Sequence, residues 1–262
     1  MLNIYIGYDP KETVAYHVLS HSILRRATAP VSITPLVREH FRPFFTRERG
    51  PLDSTDFSIT RFLVPYLSGY QGYSVFMDCD LLCQTDITQI WHEIKPASPT
   101  QGIWVAQHDY TPRAGLKMLE QAQTSYSRKN WSSFMLFNNS ECRALTPDYV
   151  GTATGLQLHR FAWLKDEKIG SLPLEWNWLV GEYPANARAK FWHYTLGGPW
   201  WQQYRKVDHA KEWFEEYYHM TGQDFYGQQV WEEPATLATS PDLGDMGTVG
   251  PGLLKSWPKK GV

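Results

Sequence analysis

The chain has 262 residues, room for one large α/β domain or, less readily, two small ones. Its 25 basic and 27 acidic side chains leave a formal charge of -2, so no basic field marks it as a nucleic-acid binder. Cys79, Cys83 and Cys142 are odd in number and form no C-x-x-C pair, which argues against a disulfide framework and fits a reducing compartment.

Leu2 to Gly7 is an apolar run closed by glycine and predicts a buried strand. Asp9, Pro10 and Glu12 then supply an N-cap, a first-turn proline and an early acid, a helix-start signature. Val14, Ala15, Val18, Leu19 and Ile23 follow at helical spacing. Val31–Leu36 predicts a second strand, 38–53 a charged loop, and Asp56–Leu67 a helix with an awkward late Pro65. Tyr73–Met77 reads as a strand running directly into Asp78-Cys79-Asp80, and Asp86 as the cap of a short helix. Further strands are expected at Ile103–Gln107, ending at His108-Asp109, at Phe134–Phe137, and at Lys190–Tyr194, carrying His193. Helices are expected at Thr154–Leu164 and Asp208–His219. Residues 1–222 are read as the catalytic, nucleotide-binding domain. Residues 223–262, rich in Pro and Gly, are read as an irregular extension packed on or near the site.

Strands alternating with helices imply an α/β fold with a mostly parallel sheet and helices on both faces. Ligands in such folds bind beyond the carboxyl ends of the strands. The clusters Tyr8-Asp9, Asp78-Cys79-Asp80, His108-Asp109 and His193 all fall at expected strand ends. No signal peptide precedes the first strand and no apolar run reaches membrane-spanning length, so a cytoplasmic protein with at most peripheral membrane contact is expected.

Two carboxylates two residues apart in apolar sequence are costly unless a cation neutralises them. Hard oxygens suit Mg²⁺ or Mn²⁺, ions that commonly bridge a protein to a diphosphate. A neutral His193 imidazole could complete such a coordination sphere. Solvated aspartates at a turn and a satisfied core histidine are the plainer alternatives.

These residues resemble the retaining glycosyltransferases of family 8 and their relatives, over roughly Leu2 to Trp200. Gly7-Tyr8-Asp9 is similar to the family's first strand end, which contacts the uracil and ribose of a UDP-sugar. Arg61 in Thr60-Arg61-Phe62-Leu63 matches an arginine ahead of the D-x-D strand. Val75-Phe76-Met77-Asp78-Cys79-Asp80 is similar to that strand and motif. Phe134–Asn138 resembles a later aliphatic strand ending in Asn, and His193, Gly197, Pro199 and Trp200 resemble a late motif whose histidine is the third metal ligand. Leu172–Trp178, with Asn177, resembles a further segment. The resemblance implies a GT-A (Rossmann-like) three-layer sandwich and a Mn²⁺ or Mg²⁺ held by Asp78, Asp80 and His193. It implies a UDP-sugar donor seated by Gly7, Tyr8, Asp9, Arg61, the Asp78-Cys79-Asp80 segment and Gly197. The partner would be a glycan or other hydroxyl acceptor, and Arg61, Asp109 and Gln157 would act at the reacting bond. The sequence departs from the pattern where Gly198 stands in place of a lysine before Pro199; Lys190 and Arg205 are substitutes. A glycoside hydrolase, or a nucleotide-sugar or carbohydrate-binding protein without catalysis, are the alternative readings.

Overall fold

The computed structural model describes residues 1–50, 53–94, 100–109 and 128–221, and the backbone of 116–117 and 121–122. The expected extension at 223–262 lies outside the described residues. Met1–Thr221 form one compact unit.

The strands are β1 Leu2–Gly7, β2 Val31–Leu36, β3 Tyr73–Met77, β4 Leu81–Cys83, β5 Ile103–Ala106, β6 Leu116–Lys117, β7 Gln121–Ala122, β8 Phe134–Asn138, β9 Ile169–Leu172, β10 Trp178–Leu179 and β11 Phe191–His193. The α-helices are α1 Thr13–Arg26, α2 Val64–Leu67, α3 Ile90–Glu93, α4 Pro147–Thr152, α5 Gly155–His159 and α6 Ala210–Thr221. The central sheet runs β2-β1-β3-β8-β5-β9. Neighbours pair in parallel except β8, which is antiparallel to both β3 and β5. The fold is therefore α/β with a mostly parallel central sheet, as expected. β1, β3, β5 and β8 are almost wholly buried, because short runs of β-branched and aromatic residues can bury both faces only when both are covered.

The reversal of β8 matters for the site. Met77 pairs with Phe134 and Tyr73 with Asn138, so β8 begins where β3 ends. Asn130–Ser133 therefore lie at the carboxyl edge of β3, and the Asp78 amide donates to the Ser133 carbonyl at 2.9 Å. Asn138 is carried to the opposite edge, where its side chain donates to the Gln101 carbonyl.

A second sheet, β10-β11-β4, stands beside the first. β11 runs antiparallel to β4, with His193 opposite Leu81. His193 thus reaches Asp80 through this small sheet and not as another end of the central one.

Several expected helices are shorter than their periodicity suggests. The expected 56–67 helix is a 3₁₀ turn, Thr60–Leu63, followed by α2, with Pro65 tolerated in its first turn. α5 stops at His159 because Phe161 adopts the left-handed region at φ 58°. α6 starts only after His209, at φ 62°. No helix among the described residues is long and apolar enough to cross a membrane.

Candidate active site

Ligand atoms of Asp78, Asp80 and His193 all lie within 4.8 Å of one another. The sequence places them so by two local devices. The intervening Cys79 side chain is fully buried, which leaves the carboxylates on either side of it half-buried. Antiparallel pairing then brings His193 opposite Leu81, and the Tyr194 amide donates to the Asp80 carbonyl at 2.9 Å. His193 Nε2 stands 3.3 Å from Asp80 Oδ1.

The imidazole is oriented from behind. Its Nδ1 lies 2.9 Å from Asn177 Oδ1, which places a proton on Nδ1 and turns Nε2 toward the carboxylates. Two carboxylates and one imidazole are a donor set that suits Mn²⁺ or Mg²⁺.

Arg61 is buried between the rings of Phe57 and Phe76, its guanidinium carbon 5.3 and 5.0 Å from their centroids. Its Nη1 contacts Asp78 Oδ1 at 2.8 Å and donates to the Ser132 carbonyl at 2.9 Å. Arg61 thus fixes Asp78 as well as standing near any anion bound there.

Asp9 caps the turn leading into α1, as expected: Oδ1 accepts the Lys11 amide at 2.9 Å and Oδ2 the Asp56 amide at 3.1 Å. Tyr8 is half-buried and its hydroxyl meets Thr13 Oγ1 at 3.1 Å. Gly7 is required sterically, since a Cβ there would sit 2.3 Å from the Phe57 ring. At Gly197, φ 142° excludes other residues, and the ring of Tyr204 occupies the space a Cβ would need. Asp109 is exposed just beyond β5. The Gln157 carbonyl oxygen accepts from Thr154 N and Oγ1 as half of a capping box on α5. Lys190, one substitute for the missing lysine, is bound to Glu93 and lies over Trp176.

Several members of the site were legible in the sequence only in other roles: Glu12 as an early helix acid, His108 beside Asp109 at a strand end, and Asn177 within a family-like segment. Glu12 is 2% exposed, and its carboxyl is pushed well above the usual range, first by burial and then by Asp80, Asp9 and Asp78. It accepts from the Cys79 thiol, which burial keeps protonated. The Asn177 amide nitrogen reaches His108 Nε2 at 3.0 Å, Asn130 O at 3.1 Å and Ser133 Oγ at 2.9 Å. His108 Nδ1 contacts the Tyr183 hydroxyl at 3.0 Å. Burial, and next His193, depress the His108 imidazole to about 3, so it stays neutral. Burial, followed by Asp109 and Glu182, pushes the Tyr183 phenol up.

No family model matches the chain. It is 45% identical over 222 residues to Protein CDI of Arabidopsis thaliana, covering 81% of this chain and 85% of that protein. Solved structures that share the fold include three glycosyltransferases. The WbbM bifunctional glycosyltransferase superposes with a TM-score of 0.57 at 14% identity, covering 85% of this chain and 51% of that one. The glycosyltransferase GlyE of Streptococcus pneumoniae TIGR4 gives 0.54 at 15%, covering 82% and 59%. The galactosyltransferase LgtC, solved with donor and acceptor sugar analogs, gives 0.52 at 10%, covering 84% and 96%. The chain thus spans about half of WbbM and about three fifths of GlyE. With its glycosyltransferase-like GT-A fold, the chain belongs to the family of the Arabidopsis thaliana Protein CDI.

Proposed function

We propose that the chain is a metal-dependent glycosyltransferase that moves a sugar from a UDP-sugar to an acceptor hydroxyl with retention of configuration. The observation that carries the reading is the convergence of Asp78, Asp80 and His193 within 4.8 Å at the carboxyl edge of a mostly parallel sheet. These residues would hold Mn²⁺ or Mg²⁺, which when bound supplies Lewis-acid stabilisation of charge developing on a diphosphate.

The chain's own residues have separable tasks. Gly7, Tyr8 and Asp9 would seat the nucleoside; each Asp9 oxygen already accepts one amide and keeps a lone pair for a ribose hydroxyl. The Cys79 backbone would lie along the nucleotide, since its thiol is turned to Glu12. Arg61 holds Asp78 and adds positive charge near the leaving group. Asp109 and Gln157 are the candidates for positioning sugar or acceptor, with Asp109 at the carboxyl edge close enough to bias Tyr183. The acceptor oxygen would attack on the face from which the diphosphate departs, forming the new C–O bond as the old one breaks and passing its proton to the departing diphosphate oxygen. The reaction would take place in the cytoplasm, with no nucleic-acid partner.

The test is incubation with a panel of UDP- and GDP-sugars and Mn²⁺, scored for nucleotide release. Metal-dependent release of UDP from a UDP-sugar is expected. Absence of release across the panel, with and without candidate acceptors, would overturn the reading. A second reading, nucleotide-sugar binding without transfer, draws on Gly198 standing where the related motif has lysine. It would show as UDP and Mn²⁺ raising the melting temperature with no UDP released.

A further inference from the structure

Behind His193 lies a chain of hydrogen-bonded side chains, Asn177, His108 and Ser133. The chain starts from a group that cannot change its role, the Asn130 backbone carbonyl, which only accepts. It lies 3.1 Å from one end of the Asn177 amide, so that end must be the NH₂ group. Ser133 Oγ fits the same assignment, since it donates to Asn130 O at 2.6 Å and accepts from Asn177 at 2.9 Å. Asn177 Oδ1 therefore faces His193 Nδ1 at 2.9 Å and requires a proton there. On the other side the NH₂ group faces His108 Nε2 at 3.0 Å, so that nitrogen accepts and His108 carries its proton on Nδ1, toward the Tyr183 oxygen at 3.0 Å. The NH₂ group has two N–H bonds for three acceptors, so one is shared, and each contact is compatible with this orientation of the amide. Asn177 has no exposure and His193 is 2% exposed, so water does not compete for these bonds.

We propose that Asn177, supported by His108 and Ser133, is a positioning residue that locks His193 in the Nδ1–H tautomer with Nε2 presented to the cation. The inference rests on reading Asp78, Asp80 and His193 as a cation site. Partners of this kind, donating or accepting at the far nitrogen of a ligating histidine, fix ring orientation and commonly change metal affinity by about 10–100-fold when lost. No such locking is needed for a histidine that merely packs in the core, where either tautomer would serve.

The experiment measures Mn²⁺ affinity without nucleotide or turnover, by the electron paramagnetic resonance signal of free Mn²⁺, on the full chain and two variants. Asn177→Leu removes the acceptor and should weaken Mn²⁺ binding by about 10–100-fold. Asn177→Asp keeps an acceptor for His193 while burying a charge beside the Asn130 carbonyl, so it should lower the melting temperature yet bind Mn²⁺ within a few-fold of the parent. Loss of affinity that simply follows loss of thermal stability, with Asn177→Asp no better than Asn177→Leu, would overturn the proposal. So would parental affinity in Asn177→Leu. Should Asn177→Leu fail to fold, His108→Phe carries the same test, with a several-fold weakening expected and parental affinity overturning the relay. If the parent itself binds no Mn²⁺, the cation site falls and the relay with it; if the parent binds and the variants match it, the relay alone falls.

Discussion

Two clusters of buried charge in this molecule are built in opposite ways. Between α1 and α6 the Glu216 carboxylate, 1% exposed, is met by His21 at 2.6 Å, Arg26 at 2.7 Å and Arg25 at 3.1 Å. One anion is surrounded by more donors than it needs, and the arrangement is complete without help. At the carboxyl edge of β3 the proportions are reversed. Burial first, and then Asp80, Asp9 and Asp78, push the Glu12 carboxyl well above its ordinary range, while Arg61 pairs with Asp78. Carboxylates gathered in this way are costly unless protonation or a positive group offsets them. The first cluster joins two helices around one anion, whereas the second gathers several carboxylates around the end of one strand.

The sharpest way to break that contrast is to remove one carboxylate from each cluster. Asp80→Asn should lower turnover by about 10²–10³-fold, roughly 2.7–4 kcal/mol of transition-state stabilisation, while the protein stays folded. Steady-state assays with UDP-sugar and Mn²⁺ measure it, and parental turnover would remove the carboxylate from the mechanism. Adding UDP with Mn²⁺ at about 100 times the dissociation constant should stabilise the parent by about 2.7 kcal/mol. This corresponds to a rise of roughly 5–10 °C in melting temperature for a chain of this size. Asp80→Asn should lose most of that rise, and a variant of the Glu216 cluster should keep it.

Glu216→Gln should instead cost about 2–3 kcal/mol in stability with Mn²⁺ affinity unchanged. That lies below the usual loss for breaking a buried pair because His21, Arg25 and Arg26 can regain water. Denaturant melts and Mn²⁺ titration separate the two effects; a matching fall in Mn²⁺ affinity would mean that the clusters are not independent.

The smallest expected effect sharpens the electrostatic claim itself. The folded Glu12 carboxyl ionises well above its ordinary value of 4.5, whereas in the unfolded chain it ionises near that value. Protons are then held by the folded state and not by the unfolded one, so this residue's contribution is intact below the unfolded value and is lost as pH rises above it. Glu12→Gln does not titrate. Its melting temperature relative to the parent should therefore climb as pH rises above 4.5 in metal-free buffer. A difference that stays flat across that range would show that the carboxylates do not burden one another as described.

The legible parts of this protein were those encoded locally. Leu2–Gly7, Val31–Leu36 and Tyr73–Met77 form strands over the expected residues, because each is a short run of strand-forming side chains bounded by turn residues. Asp9 and Thr154 cap as their side-chain chemistry dictates. Ile169–Leu172 carries a glycine and a serine and did not read as a strand, yet it forms the edge of the central sheet because β5 offers it a partner. Lengths of helices were overestimated where Phe161 and His209 turn left-handed.

Within the site, the sequence by itself determined the Asp78-Cys79-Asp80 triplet at the end of a buried strand, since apolar periodicity and the spacing of carboxylates are properties of adjacent residues. What only the tertiary structure decided is the company the triplet keeps. His193 arrives by antiparallel pairing with Leu81, Ser133 by the reversal of β8, Glu12 by the docking of the first turn, and Asn177 with His108 by hydrogen bonds spanning 69 positions of chain. Hydrogen-bond direction depends on which atoms meet in space, and linear spacing carries no record of it.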